Sequence, residues 1–252
     1  LYAKWEEKAQ RALMAEWKRK TGKVVARLKK KYGGNKSGAP PPRPSTGSGR
    51  FDAVKDFDDP FDNAFWAEWE DDYVGVLTDV LAEGALIGAQ AGLEEAGIAI
   101  DWKLVNKRAR DWARLYAADL VRRDSKRFDK SLTGTDIQNI RSELAKWIDS
   151  PETFADLVRR MTGVVEDPTR GALIAATEST RTYAAGTTLG WETTGLIDET
   201  AMDKAQEFFP QHPGCRCWPT LRPGQGVFFR TAEDELVCPI CQPLANTIIV
   251  EV

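Results

Sequence analysis

Apolar positions recur with helical spacing over the first two thirds of this chain and shorten into compact runs only near its end. From Trp5 to Tyr32 the pattern predicts a basic helix of weak amphipathicity. From Asn63 to Gly97 apolar residues are dense enough for one or two helices. Gly75, Gly84, Gly88 and Gly92 interrupt that stretch, and small residues at this density let another helix approach closely. Val105, Ala109, Trp112, Tyr116 and Leu120 then mark one face of a further amphipathic helix.

Three start signals follow. Thr135-Asp136-Ile137-Gln138 fits a capping box, while Ser150-Pro151 and Asp167-Pro168 each place an N-cap acceptor before a proline at the first helical position. They predict helices near 136–149, 151–162 and 168–187. The expected core residues are Ile137, Ile140, Leu144, Trp147, Phe154, Leu157, Val158, Leu173 and Ile174. After Gly190, Val227-Phe228-Phe229 and Ile248-Ile249-Val250 read as small strands. The fold class is therefore mainly α: a multi-helix N-terminal region followed by a small C-terminal α+β module built around a metal.

Gly33 to Gly49 is a stretch rich in Gly, Pro and Ser that reads as a linker. It divides the chain into a basic helical arm at 1–32, a linker at 33–50, a helical region at 51–165 and the α+β module at 166–252. The arm's position need not be set by the main fold.

Composition changes this picture little, but the distribution of charge changes it. The 252 residues carry a net charge of only -3. Residues 1–32 nevertheless hold eleven Lys and Arg against three acids, and residues 51–101 hold fourteen acids against Lys55 alone. The basic block suits a phosphate backbone, with Lys18, Arg19, Lys20, Lys23, Arg27, Lys29, Lys30 and Lys31 as candidate non-specific DNA contacts. The acidic block suits a basic protein surface, and in the helical region 51–165 Trp66, Trp69, Trp102 and Trp112 would serve either as interface anchors or equally as intramolecular core. A solvated helix face accounts for either block equally well. No membrane span and no secretion signal are expected.

The candidate chemistry lies in the last third. Cys238-Pro239-Ile240-Cys241 is a CxxC knuckle, and His212-Pro213-Gly214-Cys215-Arg216-Cys217 places the single histidine three residues before one cysteine and five before another. His212, Cys215, Cys217, Cys238 and Cys241 offer five donors for a tetrahedral site that needs four, and thiolate with imidazole suits structural zinc. Spacing leaves the choice between Cys215 and Cys217 open, with i, i+3 symmetry favouring Cys215. Two disulfides are the alternative for four cysteines.

The run Ile174-Ala175-Ala176-Thr177-Glu178-Ser179-Thr180-Arg181, followed by Tyr183-Ala184-Ala185-Gly186, is read together with Thr231 to Cys241 and the His212 to Cys217 block. These segments resemble the phage minor head protein family, the head morphogenesis proteins similar to protein F of phage Mu and gp7 of phage SPP1. Trp112 to Val121 resembles the helical region preceding that module, so the likeness covers roughly residues 100–252.

The resemblance implies a non-enzymatic minor capsid protein inside the head near the portal, assembled in the host cytoplasm. Its partners would be the portal protein, scaffold or major capsid protein and, without sequence preference, packaged DNA, which it would help to package or eject. In the family the CxxC block comes first and the HPxCRC block closes the module. Here the order is reversed, as in a permuted member or in a chain whose pieces are numbered out of biological order. Glu178 and Arg181, at i, i+3, read as a structural ion pair setting the helix against the metal unit. The competing class is a zinc-dependent nucleic-acid enzyme or a cysteine hydrolase, for which Asp234 and Glu235 beside Cys238 would be the nearby acids.

Overall fold

A computed structural model describes residues 2–32, 61–99, 101–126, 131–148, 152–222, 224–231 and 239–251. The expected linker, the Ser150-Pro151 start signal, Asp234, Glu235 and Cys238 lie outside them. Seven helices are described: α1 (Tyr2–Tyr32), α2 (Asn63–Glu95), α3 (Trp102–Val121), α4 (Leu132–Ile148), α5 (Phe154–Val165), α6 (Pro168–Thr193) and α7 (Glu199–Phe208). The strands β1 (Trp218–Arg222), β2 (Gly226–Arg230) and β3 (Ile248–Val250) form an antiparallel sheet in the order β1-β2-β3.

The chain forms two compact units, each assembled from separated segments. The first comprises Leu1–Leu13, Gly75–Ala117 and Thr169–Val252, and the second Met14–Val74 and Ala118–Pro168. This partition cuts across the expected sequential domains, because α1, α2 and α3 each contribute residues to both units.

In the first unit, α2 and α6 meet through small residues. Ala85 and Ala89 are fully buried with Leu93, Leu189 and Trp191. Gly88 lies against the Tyr183 backbone, and Gly186 against that of Ala85. Two side chains bond the facing backbone across this contact: Thr187 Oγ1 donates to Gly88 O at 3.0 Å, and Trp191 Nε1 to Gly92 O at 3.0 Å. By length and composition α2 could cross a membrane, with a window of mean hydropathy 1.3. Of that window 39% is buried within the protein.

The second unit centres on aromatic rings. Phe61, Phe65, Trp66 and Trp69 form a chain of ring contacts with centroids 5.0–5.8 Å apart. Trp17 Nε1 donates to the Tyr73 hydroxyl. Trp66 and Trp69 are each 1% exposed, so they are core and not interface anchors, whereas Trp102 is exposed. Helices α4 and α5 form a hairpin with Ile140, Leu144, Trp147, Leu157 and Met161 inside.

Two start signals are displaced from where the pattern puts them. Helix α4 begins at Leu132, because Ser131 Oγ accepts from Gly134 N at 3.0 Å and supplies the cap ahead of Thr135. Helix α5 begins at Phe154, where Thr153 and Asp156 make a reciprocal capping box. Helix α6 does start at Pro168, but it runs on to Thr193. Leu173 on this helix is exposed, contrary to its expected place in the core.

The basic helix is not a free arm. Trp5, Trp17, Val24 and Leu28 are buried, and Lys20 is completely so. Its cations meet the acidic block of the same chain. Within the second unit, Lys23 pairs with Glu68 at 2.5 Å and Asp72 at 2.8 Å, Arg19 with Asp72 at 2.7 Å, and Arg27 with Asp62 at 2.6 Å. Within the first unit, Lys8 pairs with Glu83 at 2.6 Å. Much of the opposite charge that suggested two external partners is therefore spent internally.

Candidate metal centre

The centre is built by two turns and a helix of the first unit. Asp198 caps α7 by accepting from Ala201 N at 2.7 Å, and the helix ends where Phe209, extended before Pro210, cannot continue it. In the turn that follows, Cys215 N donates to His212 O at 3.1 Å. Gly214 has a φ of 76°, a conformation that a side chain would strain, and this reversal brings the residues three apart to one side. The second turn begins at Cys241, whose carbonyl accepts from Leu244 N at 3.0 Å. Asn246 N then donates to Phe229 O at 2.8 Å, and Phe229 N to Thr247 O at 2.9 Å, which join this turn to β2. Beneath both turns the Phe209 and Phe229 rings stack at 5.1 Å, with Ala184 beside them.

Three donors converge. Cys215 Sγ and Cys241 Sγ are 3.7 Å apart, Cys241 Sγ and His212 Nε2 are 3.3 Å apart, and all three donor atoms lie within 4.8 Å of one another. This group could hold a metal ion. The other imidazole nitrogen, Nδ1, is 2.8 Å from Pro213 O. With the proton on Nδ1, that contact is a hydrogen bond and the Nε2 lone pair faces the sulfurs.

Cys215 and Cys241 are each 1% exposed, and neither they nor Cys217 form a disulfide. Cys217, also buried, bonds to the same sulfurs but is not one of the three converging donors. The Cys217 thiol bond holds the Cys215 thiol down at about 5, against the opposing effect of burial. The same bond, reinforced by burial, drives the Cys217 thiol upward.

Helix α6 forms the floor of this centre. Thr177 Oγ1 accepts from Gly214 N at 2.8 Å, and Thr180 Oγ1 donates to the Cys215 carbonyl. These threonines, at i, i+3 on one face, position the HPxCRC turn, and sequence reasoning did not assign them. Their signal in the sequence is the Thr177-Glu178-Ser179-Thr180-Arg181 run, in which the two threonines share the i, i+3 spacing of the charged pair.

Glu178 and Arg181 are brought together, with Arg181 Nε 3.6 Å from Glu178 Oε2. The carboxylate also accepts from the Tyr116 hydroxyl at 2.7 Å. Tyr116 stacks on Trp112 at 5.1 Å, and the Arg181 guanidinium lies 5.4 Å from the Tyr116 ring centroid. Through these contacts the pair ties α6 to α3.

The candidate DNA contacts divide into two groups. Arg19, Lys23 and Arg27 are engaged by carboxylates and Lys20 is buried, while Lys18, Lys29, Lys30 and Lys31 are exposed. No family model, curated protein or solved structure matches the chain.

Proposed function

We propose that the chain is a phage minor head protein, a portal-associated head morphogenesis protein whose C-terminal module is held by a structural zinc ion. The observation that carries this reading is the convergence of His212, Cys215 and Cys241 over the Thr-Glu-x-x-Arg helix, since the motifs underlying the family resemblance meet at one point. A tetrahedral ion with metal–sulfur bonds of about 2.3 Å and metal–nitrogen bonds of about 2.0 Å separates neighbouring sulfurs by roughly 3.8 Å, and sulfur from nitrogen by roughly 3.5 Å. The separations of 3.7 Å and 3.3 Å suit such a centre. Cys238, three residues before Cys241, or Cys217 would complete it. The reversed order of the two cysteine blocks does not affect ligation, which needs only proximity in space.

In this reading zinc supplies cross-linking and no chemistry. Cys215 and Cys241 are buried and His212 is half-buried, and with Cys238 or Cys217 as fourth donor the site would be closed as structural sites are, so in this reading the chain is not an enzyme. The protein sits inside the head near the portal, having assembled there from the host cytoplasm. It binds the portal, with scaffold or major capsid protein as further partners, touches DNA non-specifically and assists packaging or ejection. The alternative reading is a zinc-dependent nucleic-acid enzyme or a cysteine hydrolase, and the 3.3 Å His212–Cys241 contact is the observation that favours it. Against it, a sulfur this buried offers a substrate no approach.

The test combines metal analysis with co-purification of the full chain and a phage portal. About one zinc per chain and a stable portal complex are expected. A metal-free protein with oxidised cysteines would remove the zinc centre. Turnover of nucleic acid or peptide without portal binding would replace the structural reading with the enzymatic one.

A further inference from the structure

The cations of α1 in the second unit that no carboxylate engages are not scattered. At 100° per residue, Lys18, Gly22, Ala26 and Lys29 fall within about 80° of one another around α1, with Lys30 flanking them. Ala15, Gly22 and Ala26 are exposed, and a Cβ placed on Gly22 would meet nothing within 4 Å. The surface is therefore a lane of small residues edged by lysines, open to close approach by a backbone. Lys18 and Lys29 lie about 16 Å apart along the axis, roughly half a turn of B-DNA. Lysines in a last helical turn also offset the helix dipole, which accounts for part of Lys29 and Lys30 but not for Lys18, three turns earlier.

Arg19 and Lys23 lie on the Lys30 side of this face but are engaged within the chain. Arg19, Lys23 and Arg27 are held by Asp72, Glu68 and Asp62. Among the described residues no carboxylate is paired with Lys18, Lys29 or Lys30.

We propose that the Lys18–Lys29–Lys30 lane of α1 is the surface that docks the phosphate backbone of duplex nucleic acid. The proposal rests on the non-specific DNA contact put forward above and narrows it from eight basic residues to three. Arg19, Lys20, Lys23 and Arg27 are removed from that contact and given an intramolecular role, and Lys31 falls on another face of the helix. Recognition is by charge alone, so affinity is independent of sequence and falls with salt as counterions are released.

The test uses the full chain, a mixed-sequence duplex and a salt titration. Each lost phosphate contact flattens the plot of log K against log salt by about 0.9, so the triple variant Lys18→Gln, Lys29→Gln, Lys30→Gln should lose about 2 to 3 from the slope. Its melting temperature should fall only slightly, through the lost dipole compensation of Lys29 and Lys30. The control Arg19→Gln, Lys23→Gln should keep the slope and melt earlier.

A triple variant that retains the wild-type slope overturns the lane, while the broader DNA contact stands at other residues. A control that flattens as much as the triple variant also overturns it. Wild-type protein that binds polyglutamate as tightly as duplex makes the partner an acidic protein. If wild-type protein binds no duplex at all, the DNA contact in the proposed function falls as well, and zinc and portal binding remain separately testable.

Discussion

Replacing Gly186 by alanine should destabilise the first unit even though alanine is the better helix former. A methyl group there would sit 2.6 Å from the Ala85 carbonyl carbon and 2.7 Å from its Cα, well inside ordinary contact. The obstruction is backbone, so no side-chain rotation relieves it and the helices must separate. Overpacking of this kind costs about 1–3 kcal/mol. Separation also lengthens the 3.0 Å bonds from Thr187 to Gly88 O and from Trp191 to Gly92 O, each contributing about 1 kcal/mol. Against this, Gly→Ala within a helix returns about 1 kcal/mol. The balance is a loss of about 2–4 kcal/mol, or roughly 4–15 °C in melting temperature for a chain of this size.

Gly75 and Gly163 provide the control, because each is helical and a Cβ there meets nothing within 4 Å. Gly75→Ala and Gly163→Ala should gain about 0.5–1 kcal/mol. Thermal and urea unfolding followed by circular dichroism would read both effects. Equal or higher stability for Gly186→Ala, or a comparable loss for Gly75→Ala, would refute the close helix contact.

The ammonium of Lys20 donates to Trp69 O at 2.7 Å beneath the Tyr73 ring, and burial lowers it to about 7 against the pull of Asp136, Glu16 and Asp72, with Arg19 opposing them. An unfolded chain keeps this proton to about 10.5, so between those values the unfolded state binds more protons and stability should rise with pH, by at most about 1.4 kcal/mol per unit. Lys20→Met should remove that rise, and parallel stability curves for the two proteins would count against the buried amine. At the candidate metal centre, the zinc reading predicts that Cys215→Ser and Cys241→Ser abolish stoichiometric metal in elemental analysis and that chelation unfolds the first unit, since structural zinc contributes on the order of 10 kcal/mol. Thr180→Val, which removes the bond to the Cys215 carbonyl, should weaken metal binding about 10- to 100-fold in competition with a chromophoric chelator; unchanged affinity would show that the threonine does not orient the turn.

Local signals carried much of the helical plan. Apolar spacing marked α3 through Val105, Ala109 and Tyr116, and the Asp167-Pro168 pair marked the start of α6, because a cap and a periodic face are properties of neighbouring residues. The small residues of α2 announced a close helix contact, and the HPxCRC spacing announced a turn able to aim donors one way. The β2 and β3 runs were legible, whereas β1 was not, since Pro219 interrupts its sequence and only pairing with β2 makes it a strand. Helix α7 also went unread, its short amphipathic face being too brief to stand out.

Tertiary structure decided which acids neutralise which cations. The basic and acidic blocks look like two external interfaces until Lys23 is found between Glu68 and Asp72, more than forty positions away. It also decided that Cys215 and Cys241, twenty-six residues apart, share a centre with His212, and that Thr177 and Thr180 hold one of its turns. The sequence by itself determined the donors and the helices that carry them, because bonding preference and periodicity are local. The partner of each charge and each sulfur was settled by packing, because long-range pairs leave no mark on the residues between them.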